Sequence, residues 1–141
     1  MTLIEHIKNY FMTCPALEGK RIDIDCLAAD PDSISIDSQP SERIVKRYLD
    51  GSAVCKYSFT LSSRMYYSSD LKQQAENIDF FEQITEWLME EALFFRLPEL
   101  GEKKKARTLS VLGSAYPILV SEELGLARYQ IQLELIYLQE V

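Results

Sequence analysis

A chain of 141 residues, 47% hydrophobic and 26% charged, matches one globular domain and excludes wholesale disorder, collagen-like and low-complexity classes. Its 22 acids against 15 bases, a net charge of −7, suit nonspecific nucleic-acid binding poorly, because that binding works by neutralising phosphates with Lys and Arg. The apolar runs fall far short of the roughly 20 residues that a membrane helix needs, so no membrane partner is expected.

The start, Met1-Thr2-Leu3-Ile4-Glu5-His6, has no basic region followed by an apolar stretch and does not read as a signal peptide. A reducing cytoplasm is therefore expected, with Cys14, Cys26 and Cys55 as free thiols. Their wide spacing offers no Cys-x-x-Cys and no Cys/His cluster, so neither a metal nor a cofactor is expected.

The spacing of Leu3, Ile4, Ile7, Tyr10 and Phe11 predicts a helix over 2–13, opened by a Thr2-x-x-Glu5 capping box and ended near Pro15. Ile22, Ile24 and Cys26 alternate with charges in a first strand, and Ser33 to Asp37 repeats the pattern after the Asp30-Pro31-Asp32 turn. Gln39-Pro40-Ser41 is a second break. Asp50-Gly51 predicts a hairpin with a type I′ turn and arms at 43–49 and 52–66. In the second arm Ala53, Cys55, Tyr57, Phe59, Leu61 and Met65 share the core face, and Lys56, Ser58, Thr60, Ser62 and Arg64 face water or a polar partner.

A long helix is predicted over 70–96, capped by Asp70, with Ile78, Phe81, Ile84, Leu88, Ala92 and Phe95 as its apolar stripe. Phe80, Trp87 and Phe94 lie off the stripe. They either widen the buried face or form a second face toward another chain. Strands follow at Arg107–Leu112, Tyr116–Ser121 and 127–138, the last with Tyr129, Ile131, Leu133, Leu135 and Tyr137 on one face. The order predicts an α+β fold over 1–141: a mostly antiparallel sheet with a long hairpin, and two helices packed on one face. The expected core is Ile7, Phe11, Phe59, Leu61, Phe81, Ile84, Leu88, Ile131, Leu133 and Leu135.

No catalytic constellation can be assembled. His6 has no nucleophile or metal partner by spacing, and no nucleophile elbow or phosphate-binding glycine motif is present. Asp23 and Asp25, two apart on one strand, either bind a cation or form a wet strand face. The basic runs Lys103-Lys104-Lys105 with Arg107, and Arg43, Lys46 and Arg47, are the candidates for a local nucleic-acid patch; short charge runs are more usually solvated loops or strand faces.

Ala127-Arg128-Tyr129-Gln130-Ile131-Gln132, running on to Leu135-Ile136-Tyr137-Leu138-Gln139, resembles the C-terminal signature of small proteins encoded in tail-assembly regions of phages and prophages of Gram-positive bacteria. Ile4-Glu5 with Cys14-Pro15, Val45-Lys46-Arg47-Tyr48-x-Asp50-Gly51, and Leu97-Pro98-x-Leu100-Gly101 resemble the same family in the same order. Its members carry the label minor capsid protein, and sometimes chloramphenicol resistance protein. The acetyltransferases that inactivate that drug use a His-x-x-x-Asp-Gly motif, whereas His6 is followed by Ile7-Lys8-Asn9-Tyr10-Phe11.

The family is similar to the tail terminators, or tail-completion proteins, of long-tailed phages. That resemblance implies a tail-terminator-like fold and a non-enzymatic subunit of a homo-oligomeric ring, commonly hexameric, that caps the tail tube and contributes to head–tail joining. The alternative is a connector or adaptor of the same assembly region. The implied partners are further copies of itself, the tail tube protein and a head-completion or connector protein. DNA would at most pass through the ring lumen, where carboxylates would repel phosphates. The implied location is the host cytoplasm during assembly, then the virion tail. The candidates for self-association are Lys46, Arg47, Tyr48 and Leu49 at the hairpin tip, Lys56 on its polar arm, and Tyr66 and Tyr67 at its far end. The two last tyrosines alternatively cover the start of the long helix.

Overall fold

The computed structural model describes residues 1–40 and 43–141, so Ser41 of the second break lies outside the described residues. The elements are α1 (Leu3–Phe11), a 3-10 turn (Pro15–Leu17), β1 (Ile22–Ile24), β2 (Ser33–Ser38), β3 (Ile44–Arg47), β4 (Ala53–Tyr66), α2 (Leu71–Leu93), β5 (Lys104–Val111), β6 (Tyr116–Ser121) and β7 (Leu126–Gln139). The strands form one seven-stranded sheet in the order β1-β2-β4-β7-β5, with β3 also beside β4 and β6 also beside β7. All pairings are antiparallel except β1 with β2. The expected α+β architecture, a sheet with two helices over one face, is the one that forms.

β4 and β7 are the axis of the sheet. They pair without interruption from Ala53↔Gln139 to Tyr66↔Leu126. Strict alternation on both strands sends Phe59 and Leu133, or Leu61 and Ile131, to the helix side, and Thr60 with Gln132 to the other. Each flank of this axis holds two short strands end to end. On β4, β3 pairs with Ala53–Cys55 and β2 with Phe59–Arg64. On β7, β5 pairs with Leu133–Gln139 and β6 with Leu126–Gln130. β5 and β6 thus form one edge broken at Gly113, which takes φ +128.

Both helices share one core with the sheet, and every expected core side chain is buried. Phe11 meets Phe59 at 6.2 Å between ring centres, and Tyr10 meets Trp87 at 5.1 Å. Each such large apolar side chain stabilises the fold by about 1.5–3 kcal/mol when fully buried, which outweighs any single cap or surface pair. Thr2 caps α1 by accepting from the Glu5 N–H at 3.3 Å. The reciprocal half of the capping box differs: Glu5 accepts from the Thr2 hydroxyl at 2.9 Å, which holds its carboxyl below the usual range.

Four local expectations are corrected. The hairpin turn is not type I′, because only Gly51 takes a positive φ, of +95. Tyr48 N–H donates to the Ser52 carbonyl at 2.8 Å, so the loop is Leu49-Asp50-Gly51, with glycine in the left-handed last position. Asp50 is used differently: it accepts from the Ser52 N–H and hydroxyl, which hold its carboxyl below the usual range.

β1 is shorter than predicted. Asp25 adopts φ +52 and turns the chain, leaving Cys26 exposed and off the strand face. The stripe of α2 is shorter too: Ile78, Ala92 and Phe95 are exposed, and Phe95 leaves the helix at φ +56. Phe80 and Trp87 pack against the core and widen the buried face, whereas Phe94 stays exposed. Finally, Thr60 and Ser62 are buried although they point away from the helices. Small hydroxyl residues in mid-sheet are shaded by the longer side chains beside them, here Asp37 and Arg128 around Ser62.

Candidate interaction surface

The structure divides the predicted self-association residues among three places. Lys46 and Arg47 lie on β3, Tyr48 directly after it and Leu49 at the start of the loop; all four are exposed, Leu49 at 110%. Lys46 lies over the Tyr48 ring at 5.3 Å. Lys56 lies apart from the tip, on the open face of the sheet, half-buried and 3.9 Å from Glu134. Tyr66 and Tyr67 lie at the opposite end of β4, about 45 Å away at the ordinary rise of a strand. Tyr67 packs on the core, and the Tyr66 carbonyl accepts from Asn77 of α2 at 2.8 Å. The chain at Tyr66 is thus tied to α2 through its backbone, while the Tyr66 side chain remains exposed.

Sequence reasoning missed a second surface beside Tyr66. β6 exposes Tyr116, Ile118, Leu119 and Val120, and its turn into β7 exposes Glu122, Glu123 and Leu124. The signals were Pro117, which marks an edge strand because it cannot donate to a ladder on both sides, and the acidic pair that follows. A third exposed apolar group, Met89, Leu93, Phe94 and Phe95, ends α2, with the Arg96 guanidinium 4.8 Å from the Phe94 ring.

The open face of the sheet carries a polar network. Asp37 accepts from Arg128 at 2.7 Å, from Ser35 at 2.7 Å and from Ser62 at 3.0 Å. Asp23 and Asp25 do not act as a pair. Asp23 binds Arg21 at 2.8 Å, while Asp25 accepts from the Ser38 N–H at 2.7 Å. The basic run at 103–107 opens β5, where Lys105 meets Glu140 at 3.2 Å. Burial pushes the Cys14 thiol up, keeping it protonated and a weak nucleophile. A cleft of about 430 Å³ between α2 and residues 113–115 holds Glu82 and Glu86 beside Ile78 and Phe81. Among the described residues no group of three or more His, Cys, Asp or Glu side chains could hold a metal ion. No helix among them is long and apolar enough to cross a membrane.

Among the edge strands β1, β3, β5 and β6, two offer exposed apolar contacts beside charge, basic at β3 and acidic at β6 and the turn after it. No protein-family model matches the chain, and a search of curated proteins finds no match to it.

Proposed function

We propose that this protein is a non-enzymatic structural subunit of a phage or prophage tail, capping the tail tube and contributing to head–tail joining as a homo-oligomeric ring. What carries the reading is the ordered resemblance of four segments, from Ile4-Glu5 with Cys14-Pro15 to the 127–139 strand, to one family. The geometry supports it in a general way. A ring subunit needs a stiff sheet and two different lateral surfaces, and β3 and β6 supply two uncovered edges of opposite charge. Partners in this reading are further copies, the tail tube protein and a connector. DNA meets the chain only as it passes through the ring.

Electron microscopy of particles from a strain lacking the gene tests the proposal. Tails of uncontrolled length without heads are expected. Tails of normal length that lack heads would shift the role to the connector, and normal infectious particles would overturn both.

A further inference from the structure

The β3 edge and the β6–β7 turn carry charged pairs of opposite sign, Lys46-Arg47 and Glu122-Glu123, although each end of the β4–β7 axis holds both signs: Asp50 and Glu140 lie at one end, Arg64 and Arg128 near the other. At the Ala53↔Gln139 end, Arg47 pairs with Ala53 on one flank and Lys104 with Gln139 on the other, with Lys46 and Lys105 one step along. At the Tyr66↔Leu126 end lie Glu122 and Glu123, after β6, and Asp70, which caps α2. Asp32 is there too, its N–H donating to the Arg64 carbonyl. Neither Lys46 nor Arg47, nor Glu122 nor Glu123, takes part in an ion pair among the described residues.

Each charged end has an uncovered sheet edge. β3 pairs only with β4, and β6 only with β7, among the described residues. The β3 edge exposes Val45, Tyr48 and Leu49 beside Lys46 and Arg47. The β6 edge exposes Leu119, Val120 and Leu124 beside Glu122 and Glu123. An apolar centre rimmed by charge is the usual composition of a protein–protein contact. The Lys46-Arg47 pair of one rim complements the Glu122-Glu123 pair of the other.

We infer that the β3 edge of one copy docks on the β6 edge and β6–β7 turn of the next, Lys46 and Arg47 facing Glu122 and Glu123. The occupant is a second copy of this chain, because the matching surface is present on the same molecule. Side chains make the joint rather than a continuous ladder: both strands carry a bulge, at Val45 and at Ile118, and Pro117 has no N–H to donate. The contact joins two different surfaces, so it leaves one of each free and must propagate until it closes in a ring or extends as a filament. Because the two edges sit at opposite ends of the axis, neighbours are staggered along the strands, as strands are when a sheet closes on itself. The inference deepens the ring reading by naming its interface.

Sedimentation velocity of the purified chain at low and high salt tests it. The unaltered chain should associate, less at high salt, because added ions screen exposed charges. The double variants Lys46→Glu/Arg47→Glu and Glu122→Lys/Glu123→Lys should each require roughly tenfold or more protein to associate. An equimolar mixture of the two, or one chain carrying all four changes, should recover association, since every joint again sets opposite charges together. Leu49→Ser and Leu119→Ser, which change no charge, should each weaken it as well. Thermal melts verify that the variants are folded, as expected for exposed positions. A monomeric parent chain, reversed variants that assemble normally, or failure of the folded mixture to recover overturns the interface. Assembly as described together with normal particles from the deletion strain would remove the tail reading and keep the interface. A monomer together with defective tails would do the reverse.

Discussion

Arg128 of β7 donates to Asp37 of β2 at 2.7 Å, although these strands never pair; the side chain crosses β4 above Ser62, which it meets at 3.3 Å. The crossing depends on a small residue at position 62. Asp37 sits at the centre, also accepting from Ser35 and Ser62. Arg128→Ala removes a charged donor from a carboxylate whose side chain is only 13% exposed. A loss of about 1–3 kcal/mol is expected in urea unfolding. Arg128→Lys should recover part of it. A loss below about 0.5 kcal/mol would mean that water replaces the guanidinium without cost.

Leu133 is fully buried at the middle of β7, opposite Phe59. Leu133→Ala should cost about 2–5 kcal/mol, the range for a buried leucine that leaves a cavity. Denaturant midpoints measure it. A loss below about 1 kcal/mol would contradict the register of β7.

Gly51 carries the left-handed φ of +95 that closes the hairpin, and an added Cβ there would stand 3.1 Å from Cγ2 of Val141. Gly51→Ala should destabilise by about 1–3 kcal/mol through backbone strain and this contact. Adding Val141→Gly should relieve the contact alone. Melts of the single and double variants separate the two contributions: full recovery in the double variant would show that the backbone is unstrained.

Alkaline pH should weaken the fold. Burial, and then the Glu91 carboxylate, raise the Tyr10 hydroxyl well above the ordinary tyrosine range, and burial also raises the Cys14 thiol. Both groups ionise more readily in the unfolded chain. Their contribution is complete below the unfolded pKa values of about 8.5 and 10, and is lost as pH rises toward the folded values. Urea midpoints should fall first from the thiol and then, above about pH 10, from the phenol. Tyr10 also donates to the Arg96 carbonyl at 3.0 Å, so Tyr10→Phe should be less stable at neutral pH yet fall less steeply above pH of about 10. An unchanged slope in that variant would show that Tyr10 ionises alike in both states.

Periodicities of 2.0 and 3.6 residues are local properties, and residue types alone displayed them. Hence Ile131, Leu133 and Leu135 read correctly as one buried face, as did Phe81, Ile84 and Leu88, and the α+β class followed from the order of such segments. Which strand lies at an edge is a decision between distant segments. Ile118, Leu119 and Val120 look like core in isolation, and become surface because among the described residues no further strand lies beyond β6. Lys46 and Tyr66 look like two parts of one hairpin surface, and stand at opposite ends because β4 runs unbroken for 14 residues between them. The separation of Lys46 and Arg47 from Glu122 and Glu123 likewise appeared only when the pairing brought Lys104 of β5 level with Arg47 of β3, and set Glu122 at the far end. Composition sums those charges to a single number; only strand register gives them direction.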